Sequence, residues 1–532
     1  MSLAFDEFGR PYIVVREQDK KKRMTGIETI KRNLSYAGLV AETLKTSLGP
    51  KGMDKMIVSP EGGVLITNDG ATIVEKMMIT HPVARLMVEL SKSQDNQIGD
   101  GTTGIVVLAG ELIKQAQRLL DKGLHPLKVA SGFEKASDFV AKHLDTLKEK
   151  KDKMDREDLI KAAMTALSSK VVSSCKRRLA EVAVDAVLKV ADLERKDVNF
   201  EMIKMVGKTG GAISDTDLVE GIIIDKDFSH PQMLKTVENA KIAILTCPFE
   251  PPKPKTKYNL NITNAEDFKK LANQEQKYFE DMVQTVKASG AQVVMCQWGF
   301  DDEANHLLHT VGINAVRWVS GTDIELLAMA TGARIVPRFE SLTADKLGFA
   351  GKIEEVSFGT TQCNMVVVRQ PKKAESVTIL IRGGSATIVD ETRRSIHDAL
   401  CVIRNLIRDP RIIVGGGAAE LNSSIALRKY ADEISTVEQY AIRGFADAME
   451  QVLVILADNT GINAIQSLSM AKSKQIEENT HVYGVNCDTA TVENLREYEI
   501  FETLASKIHQ VQLSTQVIKM LLKIDDLIER SG

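Results

Sequence analysis

The apolar positions of this chain change period twice. Over Thr25–Ser47 and Pro82–Gln97 they recur every three or four residues, with Val83, Leu86, Met87 and Leu90 on one stripe, which predicts amphipathic helices. Between them, "MDKMIVSPEGGVLITNDGATI" holds two short β-rich runs, Met56–Val58 and Val64–Ile66, around Pro60-Glu61-Gly62-Gly63, a hairpin signal. A lone two-stranded hairpin is marginal in water, so it is expected to pair with strands from elsewhere, another chain included. From about Gly221 to Gln370, short apolar runs ("GIIID", "KIAILTC", "AQVVMC", "NAVRWV", "NMVVV") alternate with helical stretches, an α/β pattern. Within it, the Pro- and Lys-rich "CPFEPPKPKTKYNLNITN" is expected to leave the domain surface. It runs into a helix opened by Thr263 and Glu266 at capping-box spacing. From Asp390 the chain returns to helices, interrupted by "RIIVGGGAAE" and "NTGINA". Helical ends around an α/β middle predict a base built from both termini.

At 532 residues the chain exceeds one ordinary core, and two to four domains are expected. A net charge of −3 gives no electrostatic case for nucleic acid or an anionic membrane surface. The run "KEKKDK" is mixed in sign and reads as a solvated helix face. Six cysteines (Cys175, Cys247, Cys296, Cys363, Cys401, Cys487) show no C-x-x-C and no His-paired spacing. That argues against zinc or a disulfide framework and fits a cytosolic address. "MSLAFDEFGRPYIVV" lacks the apolar core of a signal peptide, and no apolar run reaches the roughly 20 residues of a bilayer span. A soluble intracellular protein is expected.

The chemistry concentrates in glycine loops. Gly99-Asp100-Gly101-Thr102-Thr103-Gly104 fits G-x-G-x-x-G, but a dinucleotide fold needs a strand just before it, and "VARLMVELSKSQDNQI" has helical spacing. "MVGKTGG" imitates the end of a P-loop, yet Met202 stands where its first glycine is required, and a flexible glycine hinge is the expectation there. Gly99 and Gly101 allow backbone N–H groups to approach an anion, and Thr102 and Thr103 open an apolar-periodic helix whose N-terminus favours phosphate. Asp100 beside phosphates requires a cation between, and a hard carboxylate there suits Mg²⁺. On this stretch alone, an Asp-Gly turn capping a helix stands level with that reading. Three further loops tip it toward a nucleotide site: "TSLGPKGMDKM", the strand–glycine–helix "RIIVGGGAAE", and "TNDGATI" with Asp69 in a tight Asp-Gly turn.

In this order, "SLGPKGMDKM", "NDGATI", "GDGTT", "ILIRGG", "HDAL" and "VGGGAAE" resemble a group II chaperonin over essentially the full length. "AFDEFGRP", "CPFEPPKPKTK", "CQWGFDDEANHLL", "KLGFAG" and "HDALCVIRNLIRD" are similar to its eukaryotic cytosolic branch, TRiC. The resemblance implies an α/β multidomain chaperonin fold. A mostly helical equatorial domain would come from 1–149 and 405–532, and a small α/β intermediate domain from 150–218 and 370–404. An apical α/β domain from 219–369 would carry a helical protrusion as a built-in lid.

Function and partners follow from the same resemblance. It implies an ATP-driven folding machine in the cytosol, in which this chain joins seven paralogues in a double ring of eight per ring. Clients would be unfolded proteins such as actin and tubulin, with co-chaperones as further partners and no nucleic acid or membrane. Carried onto this sequence, Asp100 binds Mg²⁺, while Gly101, Thr102 and Thr103 hold the phosphates of ATP or ADP. Leu48, Gly49 and Pro50 border the nucleotide, Gly416 and Gly417 lie against ribose and base, and Asn486 and Glu502 add nucleoside contacts. Lys170 senses the nucleotide. Asp398 directs the attacking water with help from Asp69, and hydrolysis requires its domain to swing down. Glu303, His306 and Leu307 face clients, whereas Phe268, Leu271, Phe279, Met282 and Val286 are packing positions. The sequence departs from the family's usual pattern at Ser169, at Thr503 and along Cys487–Tyr498. Two rivals are a small-molecule kinase or ligase, for which no acceptor constellation is visible, and a ring-position paralogue that is structural with little or no hydrolysis.

Overall fold

A computed structural model describes residues 2–5, 11–14, 26–150, 155–250, 264–357, 364–371 and 376–526. Three large apolar cores organise them. The first is mostly helical and draws on both halves of the chain. Helices Ile27–Lys45, Pro82–Gln97, Thr102–Asp121 and Pro126–Leu147 pack with Ala418–Glu433, Glu438–Thr460 and Leu504–Leu521. The stripe read at Val83, Met87 and Leu90 is buried here, with Leu86 at its margin. Phe133 and Phe445, from opposite halves of the sequence, meet edge to face with centroids 5.7 Å apart. Both are buried, and burying a side chain of this size contributes about 1.5–3 kcal/mol.

The second core lies around a seven-stranded mixed sheet. Strands Asn314–Val316, Val293–Cys296 and Thr236–Leu245 run parallel, and Gly348–Ser357, Asn364–Pro371 and Ile222–Ile224 continue the sheet antiparallel. Ile335–Val336 adds a parallel edge to Thr236–Leu245. The runs "IAIL" and "VVMC" are buried on both faces, which is why they read as unbroken apolar stretches rather than alternation. Helix Ala265–Ser289 buries Phe279, Met282 and Val286 in this core, as expected of packing positions. Thr263, its expected cap, lies outside the described residues, as do the side chains of Phe268 and Leu271; the residue at the cap position is Asn264.

The third core joins the other two. Strand Val377–Gly383 sits between parallel Ile203–Thr209 and antiparallel Asp217–Glu220, covered by helices Lys176–Val190 and Ala386–Arg408, on which helix Arg156–Leu167 packs. The chain passes through this layer going out and again coming back. Here the expected glycine hinge is corrected. Gly207 lies inside a strand, where a Cβ would stand 2.4 Å from Val389, so its role is close packing of helix on sheet. Only Gly210 and Gly211, with φ of 99° and 90°, form the turn that follows.

The hairpin is as read: Lys55–Val58 pairs antiparallel with Val64–Thr67. No other described strand of this chain pairs with it, and Met56 and Val58 are 66% and 63% exposed. Among the described residues, no helix is long and apolar enough to cross a membrane.

Candidate active site

A cavity of about 620 Å³ opens between the helical base and the linking layer. Leu48, Gly49, Pro50, Asp69, Asp100, Gly101, Thr102, Thr103, Lys170, Asp398, Gly416, Gly417, Asn486 and Glu502 all line it. The residues singled out from loops hundreds of positions apart therefore share one space. Glu303, His306 and Leu307 do not; they lie on helix Asp302–Val311 of the seven-stranded sheet, the first two exposed and Leu307 half-buried against the core.

Two walls of the cavity repeat one construction. Helix Pro82–Gln97 stops, Gly99 and Gly101 take the left-handed region at φ 73°, and helix Thr102–Asp121 starts with no side-chain cap on its first N–H groups. Strand Arg411–Val414 leads through Gly416 and Gly417, at φ 60° and 77°, into helix Ala418–Glu433, again uncapped by a side chain. Bare helix N-termini present unsatisfied donors and the positive end of the dipole, the elements of a phosphate cradle. A Cβ on Gly101 would lie 1.9 Å from Gln510 Nε2, so only glycine fits the turn. Gln94 Nε2 donates to the Asp100 carbonyl at 2.7 Å and steadies the turn from behind. Across the cavity, Asn459 Nδ2 donates to the carbonyls of Lys45 and Leu48 at 2.9 and 2.8 Å, fixing the Leu48–Pro50 turn.

The charged groups converge from three segments. Lys170, buried just before the short helix Val171–Cys175, is ion-paired with Asp398. Burial works against its charge, but Asp398 and Asp69 hold its pKa above the ordinary lysine range. Burial pushes Asp398 up to about 7, although the Lys170 ammonium pulls the other way. Asp69 differs from the expected tight turn: it is the N-cap of helix Gly70–Lys76, accepting from Thr72 N at 2.9 Å. Its other oxygen accepts from Thr102 Oγ1 at 2.9 Å, so both oxygens are engaged. Burial opposes its charge, yet Lys170 and these hydrogen bonds hold its pKa below the usual carboxylate value.

Asp100 is different. Burial raises its pKa against the Gly101 N–H and the charges of Lys507 and Lys170, and it joins no ion pair among the described residues. No cluster of three or more potential metal ligands occurs among the described residues. A magnesium site here would need Asp100 plus oxygens from phosphate and water, which is how Mg²⁺ commonly binds. The donor set fits the ion in that form only.

Sequence reasoning missed two residues. Lys507 bridges Glu420 at 2.5 Å and Glu502 at 2.7 Å in the cavity wall. Glu420 follows the three glycines at a first-turn spacing that could have flagged it; nothing local marks Lys507. Asn486 lies in the wall, and its amide is engaged, donating to Glu493 Oε2 at 2.9 Å and accepting from Asp488 N at 3.0 Å.

A helical base closed by both chain ends, with a glycine-cradle cavity beneath a linking layer and a distal α/β sheet, defines a chaperonin. The chain belongs to the TCP-1/cpn60 chaperonin family, whose model matches residues 40–531. It is 45% identical over 527 residues to T-complex protein 1 subunit epsilon of Encephalitozoon cuniculi, covering 99% of this chain and 98% of that one. It is 41% identical over 524 residues to a thermosome subunit of Methanothermococcus thermolithotrophicus, and 41% identical over 522 residues to thermosome subunit beta of Sulfurisphaera tokodaii. Both alignments cover 98% of this chain and 94% of the relative.

Proposed function

We propose that this chain is an ATP-hydrolysing chaperonin subunit that uses the cavity to drive closure of a folding chamber. The observation that carries the reading is the meeting of Asp69, Lys170 and Asp398 against the Gly99–Thr103 turn. The bare N-termini at Thr102 and Ala418 supply donors for phosphate, and Gly416 and Gly417 leave room for the nucleoside. Mg²⁺ held by Asp100 would neutralise phosphate charge and polarise the transferred group. Asp398, titrating near neutrality, accepts a proton from a water molecule as the water's oxygen bonds to the terminal phosphorus and the bond from that phosphorus to ADP breaks. Lys170 holds Asp398 at the cavity wall, while Asp69 accepts from Thr102 and adds a second negative charge near Lys170.

The three cores correspond to an equatorial, an intermediate and an apical domain in this reading. Asp398 sits on the helix that returns from the linking layer, so chemistry is tied to how that layer sits on the base. The exposed Glu303 and His306, with Leu307, present a client surface for unfolded polypeptides such as actin and tubulin. The apolar hairpin Lys55–Thr67 finds its missing strands in a neighbouring subunit of a double ring of paralogues in the cytosol.

Replacing Asp398 with alanine in the purified assembly tests the reading. ATP binding is expected to persist while turnover through this subunit falls about 100-fold or more and lid closure is lost. Turnover at the wild-type rate overturns it.

A further inference from the structure

Helix Ala386–Arg408 touches the base at a second place, one and two turns beyond Asp398. Asn405, buried at 7% exposure, donates from Nδ2 to the Ile98 carbonyl at 2.8 Å. Arg404 Nη2 reaches the carbonyls of Gln97 and Ile98 at 3.3 and 3.4 Å. Its guanidinium carbon lies 4.8 Å above the ring of Phe200, a residue of the linking layer that fixes its direction. Cys401 packs so closely on Gly99 that a Cβ there would stand 2.4 Å from its sulfur.

Those two carbonyls belong to the last residue of helix Pro82–Gln97 and to its C-cap, Ile98, where no following turn supplies partners, and the next residues are Gly99, Asp100 and Gly101. A cation and an amide donor placed on them complete that helix end from the other layer. Positions 398, 401 and 405 share one face of the returning helix, so the grip on Ile98 and the placement of Asp398 are set by the same rigid element.

We propose that Arg404 and Asn405 are positioning residues for hydrolysis. They dock the Asp398 helix onto the helix end that carries the Asp100 turn, fixing the distance between the two carboxylates. This rests on the hydrolytic reading of the cavity. With the helix docked, Asp398 faces the turn; with the docking lost, nucleotide still binds the turn but Asp398 is displaced. Misplacement by an ångström is costly for in-line transfer.

The test uses the assembly containing the full chain, with the D398N assembly as background. N405D keeps the volume of the side chain but turns an acceptor toward the Ile98 carbonyl. N405D and R404A are each expected to lower turnover about tenfold or more, with ATP affinity unchanged, and R404K is expected to restore most of the loss. If N405D does not assemble, R404A against R404K decides alone. N405D or R404A turning over like wild type, while D398N abolishes this subunit's share, overturns the docking role alone. Turnover undiminished in D398N itself overturns the hydrolytic reading instead. Loss of affinity and turnover in equal proportion, unrescued by R404K, shows a merely structural role and also overturns the proposal.

Discussion

The ammonium of Lys170 is ion-paired with the carboxylate of Asp398, 228 residues further along the chain. Lys170 follows helix Arg156–Leu167 on the outgoing pass through the linking layer, and Asp398 lies on the returning helix. The pair therefore ties both passes together in the wall of the cavity, and Asp69 of the helical base supplies a second negative charge beside the lysine.

Removing the lysine leaves two acidic groups facing each other in a poorly solvated wall. Lys170→Met is expected to lower stability by about 3 kcal/mol, read by chemical denaturation. Adding Asp398→Leu to it should return part of that stability without returning turnover. Equal stability of Lys170→Met and wild type would show that the pair is not structurally coupled.

Turnover should carry an acidic limb. Asp398 titrates near 7, so activity that needs its ionised form rises as the pH passes upward through about 7. The stability contribution has the opposite sign. The folded pKa lies above the unfolded one, so the folded state binds the extra proton, and this favourable contribution is lost as the pH rises toward 7. Comparing wild type with Asp398→Asn isolates both trends. A turnover profile flat across this range would remove Asp398 from the proton-accepting role.

Gly101→Ala meets two obstacles: a backbone at φ 73° and Gln510 Nε2 at 1.9 Å from the new Cβ. The left-handed conformation alone costs about 1–2 kcal/mol. Coupling the change with Gln510→Ala should relieve the clash but leave the backbone strain, so denaturation midpoints should fall in the order wild type, double mutant, single mutant. Full recovery in the double mutant would mean that the backbone conformation carries no cost.

The hairpin Lys55–Val58/Val64–Thr67 leaves its edges without strand partners among the described residues. Hydrogen exchange at its amides should slow strongly between the separated chain and the assembly, and Met56→Lys should weaken assembly while leaving the melting of the separated chain unchanged. Exchange equally fast in both states would place the hairpin outside any interface.

Much of the local structure was legible in the sequence. Three-to-four spacing gave the helices Ile27–Lys45 and Pro82–Gln97 to within two residues at each end, and turn residues gave the hairpin. The helix before Gly99 excluded the dinucleotide fold correctly, because that exclusion needs only the period of sixteen neighbouring residues. Asp69 was misread as a turn because Asp-Gly serves equally as a turn or a helix start; Thr72 three positions on decides it. The role of Gly207 was hidden for a different reason: its neighbour Val389 lies far along the chain.

Sequence alone thus determined what short-range sterics and burial dictate: helix stripes, the bare glycine turns and the residue types able to hold phosphate. Only the tertiary structure decided that those turns line one cavity, that Lys507 bridges Glu420 and Glu502, and that Arg404 and Asn405 cap a helix from another layer. These contacts join segments distant in sequence, and packing of the three cores rather than local propensity brings them within bonding distance.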